Sequence, residues 1–292
     1  MHRILKKLKK ISFRLYITIY NLFKVIKYGG YSTVNISQIN YGGLLKGKKI
    51  LITGGSSGIG FSIAQKCISE GAQVIITGRN EESLRTASNK INSPLLKYIN
   101  WDVSDISKVE SRLATCKELL NGKDIDILIN NAGVVNGVTY PNVTEDIWNE
   151  IYSINLKGLF FLTQNLCHYW EKNNDKNNIK KVINISSQGG FVGALYPYRM
   201  TKWDIVGLTQ GLGMKLAPKG IIINGIAPGI TATSAVNTQF YSGDKNTYCP
   251  NNPLKRVALP EEIAELAVFL MNDATNFIVG HTIVCDGGYS LK

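Results

Sequence analysis

The chain has 292 residues, with 33 Lys and Arg against 21 Asp and Glu, a formal charge of +12 and 44% apolar residues. That apolar share excludes wholesale disorder, and the length suits one α/β domain of about 250 residues with an appendage. The charge is localised: residues 1–49 hold 11 basic residues and no acid, leaving 22 basic and 21 acidic ones in the other 243. A nearly neutral body therefore carries one basic arm. Nucleic acid is disfavoured as a partner, because the body adds no basic patch in sequence and no reading motif. The five cysteines, Cys67, Cys116, Cys167, Cys249 and Cys285, are widely spaced and form no C-x-x-C pair. This argues against a disulfide framework and for a reducing, cytoplasmic setting. His2, His168 and His281 stand alone, so no metal site is expected.

The arm, residues 1–27, reads as a basic amphipathic helix. At helical spacing Ile4, Leu5, Leu8, Ile11, Leu15, Tyr16, Ile19, Leu22, Phe23 and Ile26 share one face. Arg3, Lys6, Lys7, Lys9, Lys10, Arg14, Lys24 and Lys27 fall opposite, while Phe13, Ile17, Tyr20 and Val25 break the pattern. The longest uncharged apolar run at the start, Leu15 to Phe23, is nine residues, and a spanning helix needs about twenty. No Ala precedes Ala64 to make a small-residue cleavage site, so a secretory signal is not expected. Two readings stay open. The helix lies on an anionic leaflet at the inner face of a membrane, or it docks on its own body or a neighbouring subunit. An all-cationic polar face favours the first, since docked helices usually mix both signs. Residues 28–45 hold two Gly pairs and no charge, a connector expected to let arm and body orient independently.

The body, residues 46–292, opens on the strand Lys49–Thr53, a Gly-rich turn from Gly54 to Gly60, and a helix over Phe61–Glu70. Strands follow at Gln73–Thr77, Leu96–Trp101 and Ile125–Ile129, then a helix over about Glu145–Glu171. The strand Lys181–Ile185, a helix over Tyr198–Leu216 and the strand Ile221–Asn224 come next. A helix over Pro260–Met271 and a strand near Thr282–Cys285 end the pattern. This alternation predicts a doubly wound, Rossmann-like parallel sheet in a single domain. In such folds ligands bind beyond the carboxyl ends of the strands, where the polar motifs of this chain fall. Glycines there admit a pyrophosphate, and a helix N-terminus offers it unpaired N–H groups.

These residues together resemble the short-chain dehydrogenase/reductase family, over about Leu45 to Tyr289. The likeness rests on Thr53-Gly-Gly-Ser-Ser-Gly-Ile-Gly60, Asp102, Asn130-Asn131-Ala132-Gly133, Asn155 and Ser186-Ser187. Tyr198-x-x-x-Lys202, Asn224, Pro228-Gly229 and Asp286-Gly287-Gly288 complete it. Tyr198 and Lys202, four apart on a helix, share a face. A phenol of pKa about 10 exchanges protons poorly at neutral pH, and a neighbouring ammonium, aided by a nicotinamide cation, is expected to lower that pKa.

The resemblance implies a hydride transfer between a nicotinamide and a carbonyl or alcohol substrate. Tyr198 would be the general acid and base, Lys202 would bind the nicotinamide ribose, Ser187 would hold the substrate oxygen, and Asn155 would keep a water behind the lysine. Ser187 lies 11 positions before Tyr198, where the family commonly has about 13, so Ser186 stands as the alternative. Strand alternation puts the two serines on opposite faces, so only one should serve.

Gly54, Ser56, Ser57, Gly58, Ile59 and Gly60 would cradle the cofactor, with Asp102, Val103, Asn131, Ala132 and Gly133 on the adenine–ribose side. Pro228, Gly229, Thr231 and Thr233 would lie beside the carboxamide. After the second strand of the body come Gly78 and Arg79 rather than an acid. A guanidinium suits a 2′-phosphate, which favours NADP(H) over NAD(H); an ordinary loop cation is the other reading of Arg79. The polar stretch from Ile230 to Lys255, with Tyr241, Tyr248, Pro250 and Pro253, stands where the family places a substrate lid. Family members also commonly assemble as homodimers or homotetramers through the helices at Glu145–Glu171 and Tyr198–Leu216. The rival reading is a membrane-attached NADP-binding module with little turnover.

Overall fold

Short runs of Ile, Val and Leu become strands because alternate side chains can be buried on both faces of one sheet. The computed structural model describes residues 15–20, 22–23, 26–27, 31–33, 38–173, 178–233 and 245–291. In chain order the elements are β1 (Tyr31–Thr33), β2 (Lys49–Thr53), α1 (Gly58–Ser69), β3 (Gln73–Gly78), α2 (Glu81–Ile91), β4 (Leu96–Asn100) and α3 (Val109–Leu119). There follow β5 (Ile127–Asn130), α4 (Glu145–Tyr152), α5 (Leu159–Asn173), β6 (Lys180–Ile185) and α6 (Pro197–Leu216). The last are β7 (Ile221–Pro228), β8 (Lys245–Thr247), α7 (Pro260–Met271) and β9 (Thr282–Cys285). Seven strands form a parallel sheet in the order β4-β3-β2-β5-β6-β7-β9. The chain winds outward from β2 to one edge and then, from β5, to the other. The expected Rossmann-like fold is therefore the observed one, with its switch point between β2 and β5.

Alternation divides the core in two. Ile50 and Ile52 of β2 face α1, α2 and α7 with Ile63, Leu84 and Val268. Leu51 faces the opposite layer, α3 and α5, with Cys116, Leu162 and Trp170. Between β5, β6 and the helices runs a buried polar ladder: Asn130 Nδ2 donates to Thr163 Oγ1 at 2.8 Å and to Asn184 Oδ1 at 2.9 Å. Asn184 Nδ2 in turn donates to Thr209 Oγ1 of α6 at 2.9 Å. Such a ladder fixes the register of α6, because a shift would orphan buried amides.

Besides helices α2 and α3, which the apolar pattern did not mark, the structure departs from expectation in three places. The single helix expected over Glu145–Glu171 is two helices joined by a π-helical segment, Ser153–Gly158. The connector is not independent throughout. Glu70 accepts hydrogen bonds from the backbone N–H groups of Tyr41, Gly43 and Leu44, and Leu45 is fully buried in the core. Lys66 pairs with Glu70 at 3.3 Å and Glu265 at 3.0 Å and donates to the Ile39 carbonyl. The third departure is β1, whose residues pair antiparallel with β8.

In the arm, residues 15–20, 22–23 and 26–27 are helical. Leu15, Tyr16, Ile19, Leu22, Phe23 and Ile26 are exposed by 57–72%. Residues 1–14 and Lys24, which carry most of the expected cationic face, lie outside the described residues, as do Val25 and residues 234–244 of the expected lid, Tyr241 included. Among the described residues no helix is long and apolar enough to cross a membrane.

Candidate active site

The Gly-rich turn sits at the switch point, stapled to the end of β5. Asn131 Nδ2 donates to the carbonyls of Thr53 and Gly54 at 3.0 and 2.8 Å. Thr53 Oγ1 accepts from the N–H groups of Asn131 and Ala132, both at 3.0 Å. At Gly60 a Cβ would collide with Asn131 Nδ2 and the Gly54 carbonyl, so only glycine lets α1 start this close to the sheet. Gly58 has φ +54° and a Cβ there would lie 3.0 Å from the Thr233 methyl, so Thr233 reaches over the turn from the far side of the cleft. Ser57 caps α1 without a side-chain hydrogen bond to the helix. A tight, side-chain-free turn before a helix N-terminus fits a dinucleotide pyrophosphate.

The other expected cofactor residues line the same carboxyl edge. Arg79 is exposed just past β3, its carbonyl accepting from Asn100 Nδ2 at 3.1 Å. Ser56 Oγ, in the Gly-rich turn, lies 3.5 Å from where a Cβ on Gly78 would sit. Asp102, past β4, has Oδ1 turned to the Ser104 N–H and hydroxyl at 2.9 and 2.7 Å. Val103 is buried against the π-helical segment, where its carbonyl blocks any side chain at 158. Gly229 N donates to the Cys285 carbonyl at 2.9 Å, and Thr231 Oγ1 donates back to the Gly229 carbonyl at 3.0 Å. Thus Pro228–Thr231 is pinned between β9 and the loop before α7.

Ser187, Tyr198 and Lys202 meet where β6 ends and α6 begins. Ser187 lies close enough to the Tyr198 phenol to lower its pKa, and its Oγ accepts from Gly189 N at 3.1 Å. Ser186 points elsewhere, donating to the Lys202 carbonyl at 2.8 Å. Lys202 Nζ lies 5.5 Å from the centre of the Tyr198 ring and donates to the Ile185 carbonyl at 3.0 Å. Asn155, wholly buried in the π-helical segment, clasps Val134: its Oδ1 accepts from Val134 N at 2.8 Å and its Nδ2 donates to Val134 O at 2.9 Å. Gly133 closes the gap, since a Cβ there would lie 3.4 Å from Asn155 Oδ1 and 3.8 Å from Lys202 Nζ.

Burial dominates the electrostatics of the Tyr198–Lys202 pair. Burial raises the Tyr198 phenol above its ordinary pKa, the Ser187 hydrogen bond pulls it down, and Tyr196 adds to the rise. Burial alone pushes Lys202 down to about 8. The ammonium spends a hydrogen bond on Ile185 instead of the phenol, so desolvation governs both groups. The phenol therefore holds its proton at neutral pH.

Sequence reasoning did not single out a wall beside this site. Tyr196 stacks on Tyr198 with ring centres 6.2 Å apart and lines a cavity of about 350 Å³ with Tyr140, Val143, Trp148, Leu195 and Met200. A tyrosine two residues before Tyr198 was the available signal, but its partners come from the loop after β5 and from α4.

A parallel sheet with a glycine turn at its switch point, and a Ser–Tyr–Lys cluster across the cleft, defines a dinucleotide-binding oxidoreductase. The family profile described as enoyl-(acyl carrier protein) reductase matches residues 54–290. A 3-oxoacyl-[acyl-carrier-protein] reductase, FabG, of Aquifex aeolicus is 34% identical over 249 residues, 84% of this chain and 98% of that one. The NADP-dependent (R)-specific alcohol dehydrogenase of Lentilactobacillus kefiri is 30% identical over 85% of this chain and 98% of its own. The crystal structure of a 3-ketoacyl-(acyl-carrier-protein) reductase from Brucella melitensis, complexed with NADH, superposes with a TM-score of 0.76 at 26% identity, covering 84% of this chain and 99% of that one. This chain belongs to the short-chain dehydrogenase/reductase family, oxidoreductases that act on CH–OH or carbonyl groups with a nicotinamide cofactor.

Proposed function

We propose that this chain reduces a carbonyl to a secondary alcohol, or the reverse, with NADP(H) as cofactor and Tyr198 as the group that gives and takes the proton. Ser187 holds the substrate oxygen, Lys202 holds the nicotinamide ribose, and Asn155 anchors a water behind the lysine. The carrying observation is the convergence of Ser187, Tyr198 and Lys202 at the end of β6, with Ser187 acting on the Tyr198 phenol and Lys202 Nζ 5.5 Å from its ring. When bound, the nicotinamide supplies or accepts the hydride; the chain orients the substrate and moves the proton. The cavity beside Tyr196 supports a substrate whose apolar part extends from the carbonyl, such as a 3-oxoacyl thioester or a lipid-like ketone. Keto-sugars remain the other substrate class to screen. Exposed Trp148 on α4, and Trp203 and Met214 on α6, support assembly with further copies as a homodimer or homotetramer.

The test is NADPH absorbance with acetoacetyl-CoA, 2,3-butanedione and 5-ketogluconate as substrates, followed by pH profiles in both directions. Reduction needs the protonated phenol, so its kcat/KM should hold through neutral pH and fall in the alkaline range. Oxidation needs the phenolate, whose pKa burial has raised, so its kcat/KM should climb with pH from neutrality upwards. An oxidation profile flat across that range would remove Tyr198 from the proton transfer. Tight NADPH binding with no turnover of any carbonyl would instead favour the binding module.

For the arm the same proposal places residues 1–27 on an anionic lipid surface at the inner face of a membrane, with the body in the cytoplasm. Support comes from the apolar side chains left exposed between positions 15 and 26, beside a stretch with 11 cations and no acid through residue 49. Full-length protein should co-sediment with phosphatidylserine-containing vesicles and be released by salt; equal retention on neutral vesicles would defeat the idea.

A further inference from the structure

We infer, on the hydride-transfer reading proposed above, that Tyr196 selects the substrate: its ring is the wall that receives an uncharged, aromatic substituent carried by the reacting ketone. Tyr196 belongs to two places at once. Its ring stacks on that of Tyr198, with centres 6.2 Å apart and planes 16° from parallel. It also lines the cavity of about 350 Å³ beside the catalytic cluster. A ketone whose oxygen is held by Ser187 and Tyr198 therefore has Tyr196, and the cavity it lines, next to its carbon chain.

The backbone fixes where that ring goes. Pro197 stands in the first turn of α6, and the residue before a proline is pushed out of the helical region. Tyr196 is accordingly extended, at φ −156° and ψ 155°. Tyr140 N donates to the Leu195 carbonyl at 3.1 Å, so the loop after β5 is tied to the same stretch. The Arg199 guanidinium carbon lies 5.4 Å from the centre of the Tyr196 ring, and its Nη1 donates to the Gly193 carbonyl at 2.9 Å. Trp148, which reaches the cavity from α4, is braced by Tyr152, with ring centres 4.6 Å apart and planes 13° from parallel. The walls are thus held before any ligand arrives, as a selective pocket requires.

The chemistry of the lining narrows the ligand. The rings of Tyr140, Trp148 and Tyr196 meet Val143, Leu195 and Met200. Among the described lining residues the one charged side chain is Glu145, so the lining offers no cation to a carboxylate or phosphate. Thr144 Oγ1 accepts from Ile147 N at 3.3 Å as the cap of α4, which leaves few partners for the hydroxyls of a keto-sugar. Volume is sufficient, since an apolar cavity of about 150 Å³ already takes benzene. Aromatic walls favour a flat ring, which gains from offset or edge contacts beyond its buried area.

The test compares 2-butanone with 4-phenyl-2-butanone, which present the same methyl ketone and differ by one phenyl group. With NADPH and full-length wild type, kcat/KM should be at least about tenfold higher for the phenyl ketone. Tyr196→Ala should shrink that ratio about tenfold, mainly through KM, because the wall is lost and the proton donor is kept. Tyr196→Phe should hold the ratio within about twofold of wild type, since ring and stack remain. Trp148→Ala, on a different element, should shrink it about fivefold, which gives a second reading should Tyr196→Ala fail to fold. Wild type favouring 2-butanone would overturn the inference, as would equal losses on both ketones in Tyr196→Ala, the mark of a packing role. A ratio that rises in Tyr196→Ala would overturn it too, because the ring would then obstruct the substituent. Saturation-transfer NMR of 4-phenyl-2-butanone on the NADPH complex separates this wall from the reaction itself. Binding weakened about tenfold by Tyr196→Ala, without turnover of either ketone, would remove the hydride transfer and keep the wall. Turnover of 2-butanone with phenyl-ketone binding indifferent to residue 196 would do the reverse.

Discussion

Tyr198→Phe in the full-length protein is expected to lower kcat for carbonyl reduction about 1,000-fold, with NADPH affinity held within about twofold. The substitution removes one oxygen. The ring keeps its stack on Tyr196 at 6.2 Å and its place 5.5 Å from Lys202 Nζ, so the cofactor side of the cleft is unaltered. Ser187, the residue proposed to hold the substrate oxygen, stays fixed by Gly189 N at 3.1 Å, so KM should move little. The proton donor alone is lost. Tyr196 cannot take over, because the residue four positions on is Met200, which lines the side cavity. The split between kcat and KM is what a packing role would not produce. A variant that retained more than about a tenth of the wild-type kcat would put the donor elsewhere, outside the range such groups contribute.

The sequence exposed those parts of the molecule whose signal is local. Each strand of the large sheet is a short apolar run, and the chemistry stands at the ends of those runs, so the turn from Gly54, Asn131, Ser187 and Pro228 could be placed in advance. Helices α2 and α3 went unread because they bury little: in Glu81–Ile91 only Leu84 and Ala87 are buried, and in Val109–Leu119 only Val109 and Cys116. The π-helical break at Ser153–Gly158 leaves no compositional mark, since no Gly or Pro stands at its start.

Tertiary facts were harder. Lys66 and Glu70 look like an ordinary surface pair at helical spacing, and they are buried because Ile39–Leu45 fold over them. Ser186 and Ser187 are equivalent in the strand pattern until the Lys202 carbonyl takes Ser186. Strands β1 and β8 hold three residues each and find one another across most of the chain, which no window of sequence can register. The drop of Lys202 to about 8 belongs to this group too, because desolvation is a property of what surrounds a side chain.

The second large effect concerns the cofactor. Arg79→Asp should lower kcat/KM with NADPH about 100-fold and leave NADH unchanged or improved. Of the relatives described above, one name carries NADP and one structure carries NADH, so the local charge must decide. Arg79 stands just past β3, where NAD-type folds place an acid for the ribose hydroxyls. It is exposed, so its attraction for a 2′-phosphate is screened, and truncation alone should cost NADPH about tenfold, less as salt rises. Aspartate adds repulsion to that loss, which takes the combined effect to about 100-fold. The geometry favours a clean readout: Arg79 touches its neighbours through its carbonyl, which accepts from Asn100 at 3.1 Å, and the side chain can change while that bond stays. Asn80 keeps capping α2 through Ser83 N at 2.8 Å. Steady-state kinetics with both cofactors at two salt concentrations is the measurement. Equal losses with NADPH and NADH, indifferent to salt, would mean that Arg79 is a loop cation and that the preference, if any, is set elsewhere in the cleft.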